Sequence, residues 1–336
     1  MIDRRQFIVR AAGAVAVGAL STGALGCVAA RSGPRAADQG SGPIDARAFH
    51  ASRRFVRTPF GRIAYVERGA GAAALFIHGL PLNGFQWRGA LERLSPHRRC
   101  IAPDSMGLGY SEIPAGQDLA PEAQAAMFAA FLDQLGVESV DLVASDSGGA
   151  IAQIFVARYP ERVRTLLLTN CDVHEDSPPP GLLPVIAASR AGTFVDEVLA
   201  PQLRDKSSAR LASGLGGCCY TTPAGLTDEA LECYLRPLMS SPLRKAQFHG
   251  YCVALERNPL LPIEPLLQRS RVPVRVVWGT GDTIFDPSGP EQLARIFPNF
   301  QGARRIEGGG LFFPEEMPEV IAEEAVKLWK TGTGTL

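Results

Sequence analysis

The feature that most constrains the fold is a buried strand that runs directly into a helix through two glycines. Residues 142–152 read LVASDSGGAIA. An apolar run of this kind is typical of a parallel strand buried on both faces, and the small residues after it permit a tight turn. The sequence therefore predicts a strand–turn–helix that holds one polar side chain at the carboxyl edge of a sheet, beside a helix N-terminus that favours an anion.

The residue at the tip of this turn is a candidate nucleophile. So sharp a turn requires small residues two places before and two places after the tip, and counted from Asp146 these are Ala144 and Gly148. Ser147 is an alternative tip, because residues 145–149 fit the same pattern loosely. The order of nucleophile, any residue, Gly and Gly favours Asp146, as does the length of the preceding strand. A turn with no chemical role is the third interpretation.

A second motif follows an earlier apolar run at residues 73–78. That run ends in His-Gly-Leu-Pro at residues 78–81. In enzymes with a nucleophile at such a turn, the loop after this strand supplies one backbone N–H to the oxyanion hole, and the residue after the nucleophile supplies the other. We therefore predict an oxyanion hole formed by the N–H groups of Leu80 and Ser147.

Strand and helix patterns alternate along most of the chain, which favours an α/β fold with a mostly parallel, doubly wound sheet. This alternation of strands and helices stops between Asn170 and Val272, where a Pro-rich stretch leads into helical patterns. We interpret this segment as an inserted helical cap. The predicted divisions are an export signal (1–30), a linker (31–51), the first part of the core (52–171), the cap (172–270) and the second part of the core (271–336).

The N-terminus resembles an export signal. Arg4 and Arg5 precede a weakly apolar stretch at residues 11–26, as in twin-arginine signals. The alternative is a membrane anchor, but this stretch of about 16 residues is short for a span, which needs roughly 20. Residues 24–27 loosely resemble a lipoprotein box with Cys27 as the lipidated residue. We therefore predict an exported, periplasmic or extracytoplasmic protein whose membrane attachment, where it occurs, is through Cys27.

Composition excludes several classes of partner. The 34 Lys and Arg residues balance the 34 Asp and Glu residues, and no basic run follows the first few positions, which argues against nucleic acid. No cysteine spacing suggests a metal, and we predict no cofactor. An oxidising compartment would permit a disulfide, and buried free thiols are the alternative, among the cap residues Cys218, Cys219, Cys233 and Cys252.

These motifs together resemble the α/β-hydrolase fold in its haloalkane dehalogenase and epoxide hydrolase branch, over roughly residues 52–330. In that family the aspartate at the turn attacks an electrophilic carbon and forms an alkyl-enzyme ester, which a histidine-activated water hydrolyses. The resemblance implies that Asp146 is the nucleophile and that Asp282 is the acid that orients the histidine. The remaining motifs that carry the resemblance are Trp87-Arg88, DSMGLGYS at residues 104–111 and WGTGD at residues 278–282.

The chain departs from this family at the histidine. The matching position, before the last helix, is Leu311, and no histidine follows His249. Leucine cannot accept a proton, and a general base typically contributes about 10²–10⁴-fold to a rate. His174, which follows a core strand, is the candidate replacement, with Asp172 or Asp282 to orient it. His249 in the predicted cap is a weaker candidate.

The expected substrate is a small apolar electrophile, either an epoxide, a haloalkane or an ester. The dehalogenase branch commonly has Trp after the nucleophile and Asn in the His-Gly-x-Pro loop, whereas this chain has Ser147 and Leu80. The epoxide hydrolase branch uses cap tyrosines, and Tyr251 lies near an expected position. The predicted pocket residues are Trp87, Tyr251, Leu311 and Phe312.

Two other functions stay open at this point. One is a non-catalytic or single-turnover relative that keeps the pocket for binding, and the other is a serine hydrolase that uses Ser147.

Overall fold

The computed structural model describes residues 44–331, and an eight-stranded sheet lies at their centre. The predicted export signal, Cys27 and most of the predicted linker lie outside these residues. The strands are β1 (Arg54–Thr58), β2 (Gly61–Arg68), β3 (Ala73–Ile77), β4 (Arg99–Pro103), β5 (Val140–Asp146), β6 (Val163–Cys171), β7 (Val274–Gly279) and β8 (Phe300–Ile306). Their order in the sheet is β1-β2-β4-β3-β5-β6-β7-β8.

The sheet is mostly parallel. Strand β2 pairs antiparallel with β1 and with β4, and every other neighbouring pair is parallel. Strands β3, β5 and β7 are buried along their whole length, as their largely apolar sequences predict for strands covered on both faces. The predicted α/β fold with a mostly parallel sheet is therefore confirmed.

Helices flank the sheet and fill the connection between β6 and β7. The first four are α1 (Ala46–Ser52), α2 (Arg88–Leu94), α3 (Pro121–Gln134) and α4 (Ser147–Arg158). Between β6 and β7 lie α5 (Leu183–Arg190), α6 (Ala200–Arg204), α7 (Leu215–Cys219), α8 (Asp228–Leu238), α9 (Pro242–Ala254) and α10 (Glu264–Leu267). The last three are α11 (Gly289–Ile296), α12 (Phe313–Glu316) and α13 (Pro318–Trp329).

Two helix pairs cover the sheet. Helix α3 packs against α4, and α2 packs against α13, and members of both pairs contact the strands. The helices between β6 and β7 occupy the segment predicted as a cap, where α5 packs against α9 and α8 contacts both α6 and α9. Of the helices in residues 44–331, none is long and apolar enough to cross a membrane.

The segment predicted as a linker, residues 31–51, ends in the packed helix α1. Asp45 caps this helix, because its carboxylate accepts a hydrogen bond from the N–H of Ala48 at 2.7 Å. Phe49 is 1% exposed and packs edge-on against Phe85, with ring centroids 5.2 Å apart. The small residues of this region indicated a flexible linker, but one capping aspartate and one aromatic anchor are enough to fold its end onto the core.

Candidate active site

Asp146 lies at the tip of the turn between β5 and α4. Its φ is +56° and its ψ is −138°, a conformation that costs a non-glycine residue about 1–3 kcal/mol. A Cβ on Gly148 would lie 2.6 Å from the carbonyl oxygen of His78, so only glycine fits there. The tight packing two residues beyond Asp146 is the steric requirement that the sequence pattern predicts for a nucleophile at this turn.

Two backbone N–H groups hold the Asp146 carboxylate. Its Oδ1 accepts hydrogen bonds from the N–H of Leu80 at 3.3 Å and from the N–H of Ser147. Asp146 is 6% exposed, and this burial raises its pKa to about 6, although the two N–H groups and the Ser147 hydroxyl lower it. The carboxylate is therefore mostly ionised at neutral pH, and both N–H groups lie on its Oδ1.

The Ser147 hydroxyl also contacts Tyr251. Its Oγ lies 3.0 Å from the hydroxyl of Tyr251, and both side chains are buried. Neither residue is among those that line the cavity beside Asp146. A serine nucleophile would need a base and an open approach, so the geometry favours Asp146 over Ser147 as the reactive group.

An apolar cavity opens beside Asp146. It lies between the sheet edge and the cap helices. Leu311 and Phe312 line it, as predicted for pocket residues. Its wall is formed by Leu80, Pro81, Asp146, Gly181, Leu182, Val185, Phe194, Val198, Leu199, Gln202, Ser213, Leu215, Cys218, Cys219, Ile284, Leu311 and Phe312.

Two predicted pocket residues lie elsewhere. Trp87 is fully buried and packs against Phe76, with ring centroids 5.7 Å apart, so it belongs to the core beneath the loop. Tyr251 lies on α9 behind the turn, where its hydroxyl meets Ser147 instead of the cavity. Burial raises the pKa of Tyr251, which keeps its hydroxyl protonated.

Asp282 follows β7 but has no imidazole beside it. Its Oδ1 accepts a hydrogen bond from the N–H of Ile284, and its Oδ2 accepts one from Asn170 Nδ2, each at 2.8 Å. Burial raises the pKa of Asp282 to about 6. Asn170 also bonds both the N–H and the carbonyl of Gly279. Sequence reasoning missed Asn170, although a polar residue at the carboxyl end of a buried strand is a usable signal.

The structure does not bring His174 into the cavity. Its Nδ1 is hydrogen-bonded to Glu264, its side chain is 36% exposed, and it does not line the cavity. Asp172, its predicted partner, instead accepts a hydrogen bond from Ser177 Oγ at 2.9 Å, and burial raises the pKa of Asp172 to about 8. The positive φ of His174 (+47°) turns the chain here, and this turn was not visible in the sequence.

The other histidines have structural partners or lie at the surface. His78 Nε2 accepts a hydrogen bond from the N–H of Ser105 at 3.0 Å, and burial lowers the pKa of His78. His249 Nε2 accepts one from the N–H of Val195 at 3.1 Å. Among the described residues, no imidazole lines the Asp146 cavity and no group of three or more ligating side chains could hold a metal ion.

A buried carboxylate that the sequence analysis missed lies just beyond Leu311. Glu315 Oε2 accepts hydrogen bonds from the hydroxyls of Tyr220 at 2.6 Å and Tyr234 at 2.9 Å. Its Oε1 pairs with Arg88 Nη1 at 2.6 Å. These contacts join the segment just after Leu311 to both the cap and the core, so they stabilise the cavity wall near Leu311.

Comparison with known proteins identifies the class. Residues 74–316 match the alpha/beta hydrolase fold family. Haloalkane dehalogenase 2 of Mycobacterium tuberculosis is 34% identical over 295 residues, which cover 85% of this chain and 95% of that protein. This chain therefore belongs to the α/β-hydrolase fold family.

The relatives within this class carry different activities in their names. The cis-3-alkyl-4-alkyloxetan-2-one decarboxylase of Shewanella oneidensis is 27% identical over 301 residues, covering 84% of this chain and 90% of that protein. The solved structure of the epoxide hydrolase CorEH aligns with a TM-score of 0.67 at 22% identity, over 83% of this chain and 98% of that chain. This last likeness shows the shared fold.

Proposed function

We propose that this chain is an α/β-hydrolase-fold enzyme whose Asp146 carboxylate attacks a carbon of a small apolar electrophile and forms an alkyl ester. The observation that carries the proposal is the pair of backbone N–H groups, from Leu80 and Ser147, on one oxygen of a buried carboxylate at the turn. The apolar wall of the adjoining cavity supports an apolar substrate.

In the first step, Asp146 Oδ2 forms a bond to the substrate carbon, and the bond from that carbon to the leaving group breaks. Oδ1 becomes the carbonyl oxygen of the ester and keeps its hydrogen bonds to Leu80 and Ser147. Burial in an apolar cavity strips water from the attacking oxygen and aligns it with the substrate carbon. The two N–H groups offset the cost of holding that charge away from water.

The second step is where this chain should differ from its relatives. Hydrolysis of the ester requires a base to take a proton from water, and Leu311 faces the cavity where the family has an imidazole. Without general-base assistance, hydrolysis is expected to be slower by about 10²–10⁴-fold. With a haloalkane or an epoxide, the ester should therefore accumulate.

A second candidate substrate class is favoured by the same leucine. A cis-3,4-dialkyl oxetan-2-one, the substrate class in the name of the Shewanella oneidensis relative, needs no water to complete its reaction. Asp146 would attack ring carbon 4, and the bond from carbon 4 to the ring oxygen would break, which releases a carboxylate on carbon 3. The bond from carbon 3 to that carboxylate would then supply the electrons of a new alkene as the ester bond to Asp146 breaks. The products are CO₂, an alkene and the free Asp146 carboxylate.

Time-resolved intact mass spectrometry tests both candidates. The full chain is incubated separately with 1-bromohexane, 1,2-epoxyhexane and a cis-3,4-dialkyl oxetan-2-one, and alkene and alcohol products are followed in parallel. We expect a persistent adduct on Asp146 with the first two compounds, and alkene release without adduct with the third.

Matched variants locate the reactive group. Asp146→Asn should abolish adduct and alkene formation, whereas Ser147→Ala should leave both within about threefold, because it keeps the backbone N–H. Adduct on any other residue, or loss of reaction in Ser147→Ala with retention in Asp146→Asn, would overturn the proposal. Alcohol release at a steady rate without adduct would show that a base acts after all.

A further inference from the structure

Two adjacent cysteines lie in the wall of the Asp146 cavity. Cys218 and Cys219 end helix α7, and both line the cavity. Their Sγ atoms lie 3.1 Å apart, within hydrogen-bond range for sulfur. All six described cysteines are free thiols, and this is the pair whose sulfur atoms are in contact.

The surroundings make the two thiols unequal. The hydrogen bond between the two thiols lowers the pKa of Cys218, while the same hydrogen bond and burial raise the pKa of Cys219. Cys218 is half-buried and lies on a cavity that opens to solvent. Burial raises the pKa of every other thiol in residues 44–331, namely Cys100, Cys171, Cys233 and Cys252. Cys218 is therefore the thiol that a reagent in the cavity reaches first, with the buried Cys219 thiol beside it.

We propose that Cys218 and Cys219 are a redox-active dithiol that closes to a vicinal disulfide in the cavity wall when a small peroxide enters. The Cys218 thiolate attacks one peroxide oxygen, the O–O bond breaks, and water leaves after protonation, which gives a sulfenic acid on Cys218. The Cys219 sulfur then attacks that sulfur, the S–O bond breaks, and a second water leaves. The two thiols lose two electrons and two protons, and one hydrogen peroxide becomes two waters.

The geometry makes such a disulfide reversible. Adjacent Cα atoms lie about 3.8 Å apart across a trans peptide, which is closer than the roughly 4.4–6.8 Å of ordinary disulfides. A disulfide between neighbours is therefore strained, and strained disulfides are the easily reduced ones.

Closure would also move the cavity wall. The carbonyl of Cys219 accepts a hydrogen bond from the N–H of Phe312 at 2.8 Å, and Thr221 Oγ1 accepts one from the N–H of Gly310 at 3.1 Å. A Cβ on Gly310 would lie 2.6 Å from the carbonyl carbon of Tyr220, so the backbone after Cys219 packs directly against the loop that carries Leu311. A change of the backbone at Cys219 is thus passed directly to the loop that carries Leu311.

Thiol counting by intact mass tests the proposal. The full chain is treated with one equivalent of hydrogen peroxide, unfolded and labelled with N-ethylmaleimide. We expect the loss of two labelled thiols, mapped to Cys218 and Cys219, with full recovery after dithiothreitol. Cys218→Ser and Cys219→Ser should each abolish this loss, while Cys252→Ser, another buried thiol, should retain it. Unchanged thiol counts, equal oxidation of Cys218→Ser, or a sulfinic acid as the final product would overturn the proposal.

A second measurement reports the proximity of the thiols without oxidation. Phenylarsine oxide bridges two close thiols, so the wild-type chain should bind one equivalent. Either single serine variant should bind at least tenfold more weakly, and equal binding would contradict the dithiol. Both measurements are repeated in Asp146→Asn, where the disulfide should form as in the wild type. Failure of the Asp146 chemistry and failure of the dithiol are therefore observed separately.

Discussion

Two regions that flank the Asp146 carboxylate, called here the nucleophile side and the base side, differ in the chemical groups they present. The nucleophile side, residues 78–81 and 144–149, presents a buried carboxylate with two N–H groups on one oxygen. The base side, residues 308–316, is held by the contacts of Glu315 and by the close packing of Gly310, and it carries Leu311 at the position that the family resemblance assigns to a histidine. Under the proposed function, the base side is therefore a packed cavity wall without a proton acceptor.

We infer from this comparison that ester formation and ester hydrolysis depend on different segments of the protein. Under the proposed function, formation of the ester needs the positioned carboxylate of the nucleophile side and a dry cavity, which the cap and Leu311 and Phe312 also line. Removal of the ester by water needs a base, and Leu311 cannot act as one. A substrate that leaves Asp146 without water would need no such base.

The largest expected effect is the loss of stability when the packing of the nucleophile side is disturbed. In Gly148→Ala the new Cβ would lie 2.6 Å from the carbonyl of His78 and 2.8 Å from that of Ile77, both rigid backbone atoms. We expect a loss of about 3–4 kcal/mol in the free energy of unfolding. Gly308→Ala is the control on the base side. It meets no atom within 4 Å and pays only for its positive φ, about 1 kcal/mol. Urea denaturation measures both variants, and equal losses would contradict the steric requirement for glycine at position 148.

Restoring a base should erase the difference between the two sides. Leu311→His places an imidazole in the cavity wall, on the same edge as Asp282. We expect the alkyl ester on Asp146 to disappear about 10²-fold faster than in the wild type. Leu311→Gln, polar but not basic, is the control and should show no such gain. Mass spectrometry of the ester over time gives the rate, and equal rates for the two variants would contradict a missing base.

Removing the buried charge should loosen the base side. In Glu315→Gln the tyrosine hydroxyls lose a charged acceptor and Arg88 loses its ion pair. Arg88 is partly exposed, which softens the loss, so we expect a destabilisation of about 2 kcal/mol. Glu319→Gln, from the exposed pair with Arg93, should cost less than about 0.5 kcal/mol. Thermal denaturation compares the two variants, and similar losses of stability would show that Glu315 does not stabilise this loop.

The pH dependence of ester formation tests the protonation state of Asp146. Burial raises the pKa of Asp146 to about 6, and only the ionised form attacks carbon. The rate of ester formation should therefore rise with pH and level off above about 7, and at pH 5 it should be about tenfold below that plateau. Mass spectrometry of the adduct, with a neutral haloalkane, measures the profile. A flat profile between about pH 5 and 8 would show that the carboxylate titrates lower.

The sequence predicted well what local sterics decide. The turn at Asp146 and the buried strands each follow from small residues and apolar runs within about ten positions. The absence of an imidazole was also visible, because no histidine follows His249. Prediction from the sequence failed for residues whose contacts depend on a distant neighbour. Examples are Phe49, in the segment interpreted as a linker, and His174, which pairs with Glu264.

The turn that carries Asp146 therefore followed from the sequence alone, because a strand, a tight turn and a helix N-terminus are set by neighbours along the chain. Only the tertiary structure decided what faces that carboxylate. The cap folds back over the sheet edge across more than one hundred residues, and that packing brought Cys218, Cys219 and Leu311 to the cavity while it left Trp87 and Tyr251 behind it. No local pattern encodes which side chains a long insertion turns inward, since this depends on the summed contacts of the whole cap with the core.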